Sequence, residues 1–221
     1  MVDIFTDAKY RKFYEGNVPR PQPSDFAVKF FNNKEEGVFV DVGASDGITW
    51  SNSLSFEINY KWKGLCIEPH PVAFGKLKEN RNCTCLNLAV SDKNEEVNFI
   101  VVEGYAEMLS GISKYFDSRH KDRLVNDVES HNDKAYKQKI AAKSLQTILD
   151  EHNINEVDYL SVDTEGAELV IMNGIDFNKT KINLISLEVN YELDPVNKAM
   201  GQYGYKFLEK VCGDAFYTKK S

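Results

Sequence analysis

The segment Gly37–Gly47, GVFVDVGASDG, leaves few folds open. Val38-Phe39-Val40-Asp41-Val42 is a short apolar run with no regular polar alternation, the pattern of a strand covered on both faces. It runs directly into a loop with glycines at 43 and 47. Helices must then cover both faces, and the following sequence supplies them. Ser51-Asn52-Ser53 can cap a helix to Tyr60, and Pro71 suits the first position of a helix to Asn80. Ser144–His152 is amphipathic, and a further helix should run from the Asp163 loop to Asn173. Between these lie apolar runs at Leu65–Glu68, Cys83–Val90, Glu96–Val102, Val157–Val162 and Ile182–Val189. Alternating strands and helices predict an α/β chain with a Rossmann-like, doubly wound, mostly parallel sheet. Tyr205–Val211 and Ala215–Thr218, parted by Gly213-Asp214, predict a C-terminal antiparallel hairpin at its edge.

At 221 residues the chain suits one such domain, expected over 37–221. Residues 1–36 read as a lead-in. Asn17–Pro23 is an extended connector, equally readable as linker from a larger polypeptide or complex, and Ser24 caps a short helix through Phe31. Residues 103–136 break the rhythm. They are polar, with weak helical periodicity around Arg119–Ser130, and read as an insertion over the active face on the acceptor side.

A net charge of −7 offers no basic footprint and argues against nucleic acid as a partner. No apolar run is long enough for a membrane span. Residues 1–10 lack the cationic-then-apolar pattern of a signal peptide, so the expected location is cytoplasmic. Cys66, Cys83, Cys85 and Cys212 lack metal-ligand spacing and read as reduced thiols.

In open parallel sheets ligands bind beyond the carboxyl ends of the strands. Asp41, Glu68, Asp163 and Glu188 all fall there. The first loop has Ser45 where a dinucleotide fingerprint needs glycine. Its acids, Asp41 and Asp46, would repel a pyrophosphate and suit the ammonium and sulfonium of S-adenosylmethionine. Glu68, 25 positions after Gly43, can accept hydrogen bonds from ribose hydroxyls.

Several blocks together closely resemble the FkbM-type methyltransferases. They are Gly37–Gly47, Ser51-Asn52-Ser53, Phe56-Glu57, Trp62–Pro69 (WKGLCIEP), Asp158–Leu169 (DYLSVDTEGAEL) and Leu187-Glu188-Val189-Asn190, covering roughly residues 37 to 191. The resemblance implies a class I methyltransferase fold and methyl transfer from S-adenosylmethionine to a hydroxyl oxygen. Family substrates include sugars of glycans and glycosylated natural products, and a deoxyhexose such as rhamnose is one candidate. It further implies that Asp41, Gly43 and Gly47 line the donor, with Ala44 and Asp46 in the same loop. Ser51 and Asn52 would lie near the amino-acid end, Glu68 and Pro69 at the ribose, and Ala89-Val90-Ser91 beside the adenine.

For the acceptor proton, Asp163 is the first candidate base, with Glu165 and Glu188 as alternatives. An equally weighted scheme places Mg²⁺ or Mn²⁺ on Asp163, Glu188 and Asn190, all hard oxygen donors. His70 reads as a donor-pocket wall or surface residue, and His120 and His131 as exposed. Tyr105, Tyr115, Phe116 and Tyr136 are either a sugar platform or anchors to the core. Competing readings are an O-methyltransferase for a lipid or small natural product, a non-catalytic donor-binding module, and, more remotely, an NAD oxidoreductase.

Overall fold

A computed structural model describes residues 1–10, 12, 18 and 20–220. The order is α1 (Pro23–Phe30), β1 (Val38–Val42), α2 (Leu54–Tyr60), β2 (Lys63–Ile67), α3 (Pro71–Asn80), β3 (Thr84–Leu86), β4 (Ala89–Ser91), β5 (Glu95–Glu103), β6 (Gly111–Ile112), α4 (Ser118–His131), β7 (Lys134–Ser144), α5 (Leu145–Glu151), β8 (Glu156–Val162), α6 (Glu168–Asn173), β9 (Lys181–Glu188), α7 (Leu193–Gln202), β10 (Tyr205–Val211) and β11 (Asp214–Lys219). Among these, no helix is long and apolar enough to cross a membrane.

Seven strands form the main sheet in the order β10-β11-β9-β8-β1-β2-β3. From β1 the chain winds outward through β2 and β3, then returns to lay β8 and β9 on the other side, so the order reverses between β1 and β8. The neighbours from β3 through β9 pair in parallel. Register and pleat sort the core. Val40 stands opposite Leu65 and Leu160, Val42 opposite Ile67 and Val162, and these side chains join one apolar cluster with α5 and α6. Phe39 pairs with Tyr159 and joins Phe56, Trp62, Cys66 and Phe216 in the cluster on the other face. Successive side chains on a strand point to opposite faces, so β1 must be apolar at nearly every position.

The structure corrects several expectations. Cys83–Val90 is not one strand. β3 ends the main sheet, whereas β4 enters a second, four-stranded sheet, β4-β7-β5-β6. Residues 103–136 are not irregular. They contain β6, α4 and the start of β7, and β7 pairs antiparallel with β5 from Glu95–Ala142 to Glu103–Lys134. β7 is hard to read because Lys134, Lys137 and Lys139 face solvent and only Tyr136, Ile140 and Ala142 pack inward. The apolar side of the hairpin comes from Val97, Phe99 and Val101 of β5.

The C-terminal hairpin forms at the sheet's edge as expected, with β10 outermost and β11 against β9, because Ala215, Phe216 and Tyr217 are buried while most of β10 is not. α7 forms where the sequence pattern gave no helix; Pro195 lies in its first turn, where an N–H is dispensable. α1 starts at Pro23 with Gln22 as its cap, so Ser24 does not cap it; Asp25 accepts the Gln22 N–H at 2.7 Å. Of the expected connector, Asn17 and Pro19 lie outside the described residues. The lead-in also packs: Ile4, Phe5 and Tyr10 are buried with Ile48 and Leu54.

Candidate active site

The tips of β1 and β8 approach so closely that Gly43 has no room for a side chain. A Cβ there would sit 1.6 Å from the Asp163 carbonyl oxygen, and φ is +85°. The Asp163 N–H donates to Val42 O at 2.9 Å, and the Gly43 N–H donates to Ile67 O at 2.9 Å, which turns the loop across the ends of β1, β2 and β8. Ser45, also left-handed at φ +47°, donates its N–H to Glu68 Oε2 at 2.8 Å, and the His70 N–H donates to Glu68 Oε1 at 2.7 Å. Glu68 thereby ties the first loop to the start of α3, and burial pushes its carboxyl up to about 7. A cleft of about 800 Å³, solvent at its mouth included, opens over these ends. Gly43, Glu68, Pro69, Ala89, Val90 and Asp163 are in its wall, and among the described residues no lysine or arginine lines it.

Other residues expected at the donor stand behind that wall. Asp41 is buried beneath the loop and accepts the Ser53 hydroxyl at 2.5 Å; burial raises its carboxyl. Asp46 folds into its own turn, accepting from the Ile48 and Thr49 N–H groups at 2.8 and 2.7 Å. Ala44 is buried in the apolar cluster, and Gly47 presses on Leu77 and Arg81. Ser51 Oγ accepts the Leu54 N–H at 3.1 Å, while Asn52 donates to Ser161 Oγ at 3.0 Å and Asp214 Oδ1 at 3.3 Å. Ser91 Oγ is 2.8 Å from the Tyr115 hydroxyl. Much of this support converges on Arg81, which donates to Glu57 at 2.9 Å, to Ser53 Oγ at 3.0 Å and to the Gly47 carbonyl at 3.2 Å. The sequence reading gave Arg81 no role, and nothing local sets it apart from any basic residue after a helix. Asp214 was missed likewise; it reads as a turn residue yet is buried, and burial raises it to about 7.

Asp163, Glu165 and Glu188 come together, their nearest carboxylate oxygens within 4.8 Å of one another. Burial, then the charge of Glu188, lifts Asp163 well above the usual carboxylate range, and burial, then the charge of Glu165, lifts Glu188 to about 8. Glu188 Oε2 is buried and, among the described residues, finds no hydrogen-bond partner. Asn190 stands beside this group. Its amide donates to Glu165 Oε2 at 3.3 Å. Glu168, in a block the resemblance covers but without a role there, accepts from the Thr164 and Gly166 N–H groups at 2.9 and 3.1 Å and holds the loop in which Glu165 sits at φ +59°.

His120 is 3% exposed, contrary to expectation, because α4 folds back over the site. Its Nε2 donates to Leu109 O at 3.1 Å, its Nδ1 lies 3.2 Å from Glu165 Oε2, and its ring packs on Phe116. His70 does line the cleft, with both nitrogens engaged: Nδ1 accepts the Ala73 N–H at 3.2 Å and Nε2 donates to Val102 O at 2.9 Å. His131 is exposed as expected and stacks on Tyr105. The four aromatics form no single platform. Tyr136 bonds Glu103, while Tyr115 and Phe116 line a second cavity. That cavity also takes in Arg119, His120 and Tyr191, and the residues it shares with the first cleft are Glu165 and Glu188.

The profile of the methyltransferase FkbM domain matches residues 41–207. Among solved structures, a methyltransferase FkbM from Methylobacillus flagellatus superposes with TM-score 0.49 at 15% identity, covering 84% of this chain and 44% of that one. The chain thus spans less than half the length of that structure. Precorrin-6y C5,15-methyltransferase from Geobacter metallireducens gives 0.43 at 13% identity, over 90% and 87% of the two chains. TrmK from M. capricolum, in complex with S-adenosylhomocysteine, gives 0.45 at 8% identity, over 88% and 65%. No curated protein matches.

Proposed function

Because this chain belongs to the FkbM methyltransferase family, we propose that it is an S-adenosylmethionine-dependent O-methyltransferase acting on a sugar hydroxyl of a glycan or glycoconjugate, a deoxyhexose such as rhamnose being a candidate. Its fold is that of the class I methyltransferases, with β11 the one antiparallel strand of the main sheet. The observation that carries the reading is the charge of the cleft. Glu68, Asp163, Glu165 and Glu188 line it with no lysine or arginine among the described lining residues. A pyrophosphate would meet carboxyls and no cationic Lys or Arg side chain there, whereas an ammonium and a sulfonium would be attracted by those carboxylates that are ionised.

In this reading the Glu68 carboxylate, pinned by the Ser45 and His70 amides, uses its remaining lone pairs to accept the ribose hydroxyls. Ala89 and Val90 flank the base. The bound donor supplies a methyl on positive sulfur and leaves as a neutral thioether. Asp163, at the tip of β8, receives the proton that the acceptor hydroxyl releases as its oxygen takes the methyl. Burial favours that task by raising the proton affinity of its carboxyl.

A metal-assisted variant has one observation in its favour, the three carboxylates within 4.8 Å. Mg²⁺ or Mn²⁺ would be held there by Asp163, Glu165 and Glu188, and would acidify the acceptor hydroxyl.

Purified protein incubated with methyl-labelled S-adenosylmethionine and a glycan panel tests the proposal, with calorimetry of S-adenosylhomocysteine and NAD alongside. Transfer of label to a sugar supports it. Tighter binding of NAD than of S-adenosylhomocysteine ends it.

A further inference from the structure

We propose that the second cavity seats the acceptor, and that its charge makes it a site for an uncharged sugar ring that turns away anionic sugars. The inference rests on the methyl-transfer reading above and adds the location and charge class of the acceptor.

The first argument is connectivity. The residues common to both cavities are Glu165 and Glu188, so this second space meets the donor cleft at the acid cluster. A hydroxyl seated in the second cavity against Glu165 and Glu188 would lie beside the reacting carboxylates. The second argument is the valence left open at that junction. Among the described residues the buried Glu188 Oε2 finds no hydrogen-bond donor, so a ligand O–H could satisfy it, beside the contact that the Glu188 carboxyl makes with Asp163. The third is the lining. Tyr191 offers an aromatic ring, 37% exposed with Arg119 packed on it at 3.8 Å, while Phe116 lines the wall buried against His120. An aromatic ring with carboxylates suits the apolar C–H face and hydroxyl edge of a pyranose.

The charge excludes other classes. Five carboxylates line the cavity, those of Asp117, Glu165, Glu168, Glu188 and Glu192. Arg119 is its one lysine or arginine among the described residues, and its guanidinium already bridges Asp117 at 2.9 Å and Glu192 at 2.7 Å. His120 is engaged with Leu109 O and Glu165. A phosphate or a sugar carboxylate would therefore meet repulsion with no uncommitted cation to offset it. A lipid chain would have to bury these carboxylates, which is costlier still. A neutral polyhydroxyl ring donates hydrogen bonds to them instead.

The test is saturation-transfer NMR on the whole protein, saturated with S-adenosylhomocysteine. The probes are methyl glycosides of glucose, galactose, rhamnose and fucose, set against methyl glucuronide and methyl galacturonide. At least one neutral glycoside should bind, and the uronides should not. Val196→Trp, which fills the cavity from α7, should abolish glycoside binding and leave the calorimetric affinity for S-adenosylhomocysteine unchanged. Tyr191→Ala, a change at an exposed ring, should weaken glycoside binding about 3- to 10-fold, the usual worth of one aromatic contact. If S-adenosylhomocysteine fails to bind the wild-type protein, the methyl-transfer reading itself falls. If it binds and no neutral glycoside does, or the uronides bind equally well, the charge class assigned here is wrong. A glycoside held as tightly by both variants as by the wild type binds elsewhere and overturns the location.

Discussion

Replacing Glu188 with glutamine should make the protein more stable above about pH 5. Glu188 lies close to Asp163 and Glu165, and among the described residues one of its oxygens has no hydrogen-bond partner. Burial and the neighbouring charges raise its carboxyl from 4.5 to about 8. The sign follows from proton linkage. A carboxyl whose folded-state value is raised binds more protons folded than unfolded between those two values, so the folded state loses stability as pH climbs from about 4.5 to about 8. At about 1.4 kcal/mol per pH unit, the cost at pH 7 is capped near 3.5 kcal/mol. Solvent screening at a side chain that keeps some water contact brings the expectation to about 1–2 kcal/mol. Glutamine carries no charge, and its amide can donate to Asp163 or Glu165. The assay is urea denaturation of both proteins from pH 5 to 8, in chelator so that no cation masks the carboxylates. The curves should converge near pH 5 and separate towards pH 8, with Glu188→Gln the more stable. Parallel curves, or a variant less stable at pH 8, would refute the claim that the cluster stores repulsion.

Other consequences can be checked separately. Glu68→Ala should weaken S-adenosylhomocysteine binding by about 1.5–3 kcal/mol, the worth of hydrogen bonds to a charged group. Because the Glu68 carboxyl is raised to about 7, wild-type affinity should fall as pH drops from 8 to 6, and calorimetry should find that dependence flattened in Glu68→Ala. Asp163→Asn should lower turnover roughly 10²–10⁴-fold, as for loss of a general base, with donor affinity largely kept. Activity that chelation abolishes and Mg²⁺ or Mn²⁺ restores would select the metal scheme, while indifference to chelation would select the plain base. Gly43→Ala forces a Cβ against the Asp163 carbonyl at φ +85°. It should cost about 2–4 kcal/mol from left-handed strain and a lost strand-end hydrogen bond, and a near wild-type melting curve would contradict that close approach.

The sequence is most legible where one physical demand acts alone. β1 had to be apolar on both faces and Gly43 had to lack a Cβ, so both can be read from eleven residues. Pro71 opens α3 where expected, and Asp163 and Glu188 fall at strand ends that register brings together. Legibility fails where a residue's role depends on a distant partner. β7 is a lysine-rich strand whose partner β5 carries the apolar load. His120 and Arg81 look like surface residues until α4 and the first loop close over them. Asp46 shows the opposite error, since an acid in a ligand loop turns out to hold its own turn. Burial is set by packing across the fold, and one-dimensional spacing does not encode it.

Two imidazoles grip the main chain of β5 and of the turn after it, one from the donor side and the other from α4. His70 holds the Val102 carbonyl and His120 holds the Leu109 carbonyl. Every residue type offers that carbonyl, so these anchors survive almost any change of side chain in the stretch they grip. The stretch from Val102 to Leu109 can therefore change side chains without losing these two anchors. The two histidines, rather than the residues they bind, are where such rewriting has to stop.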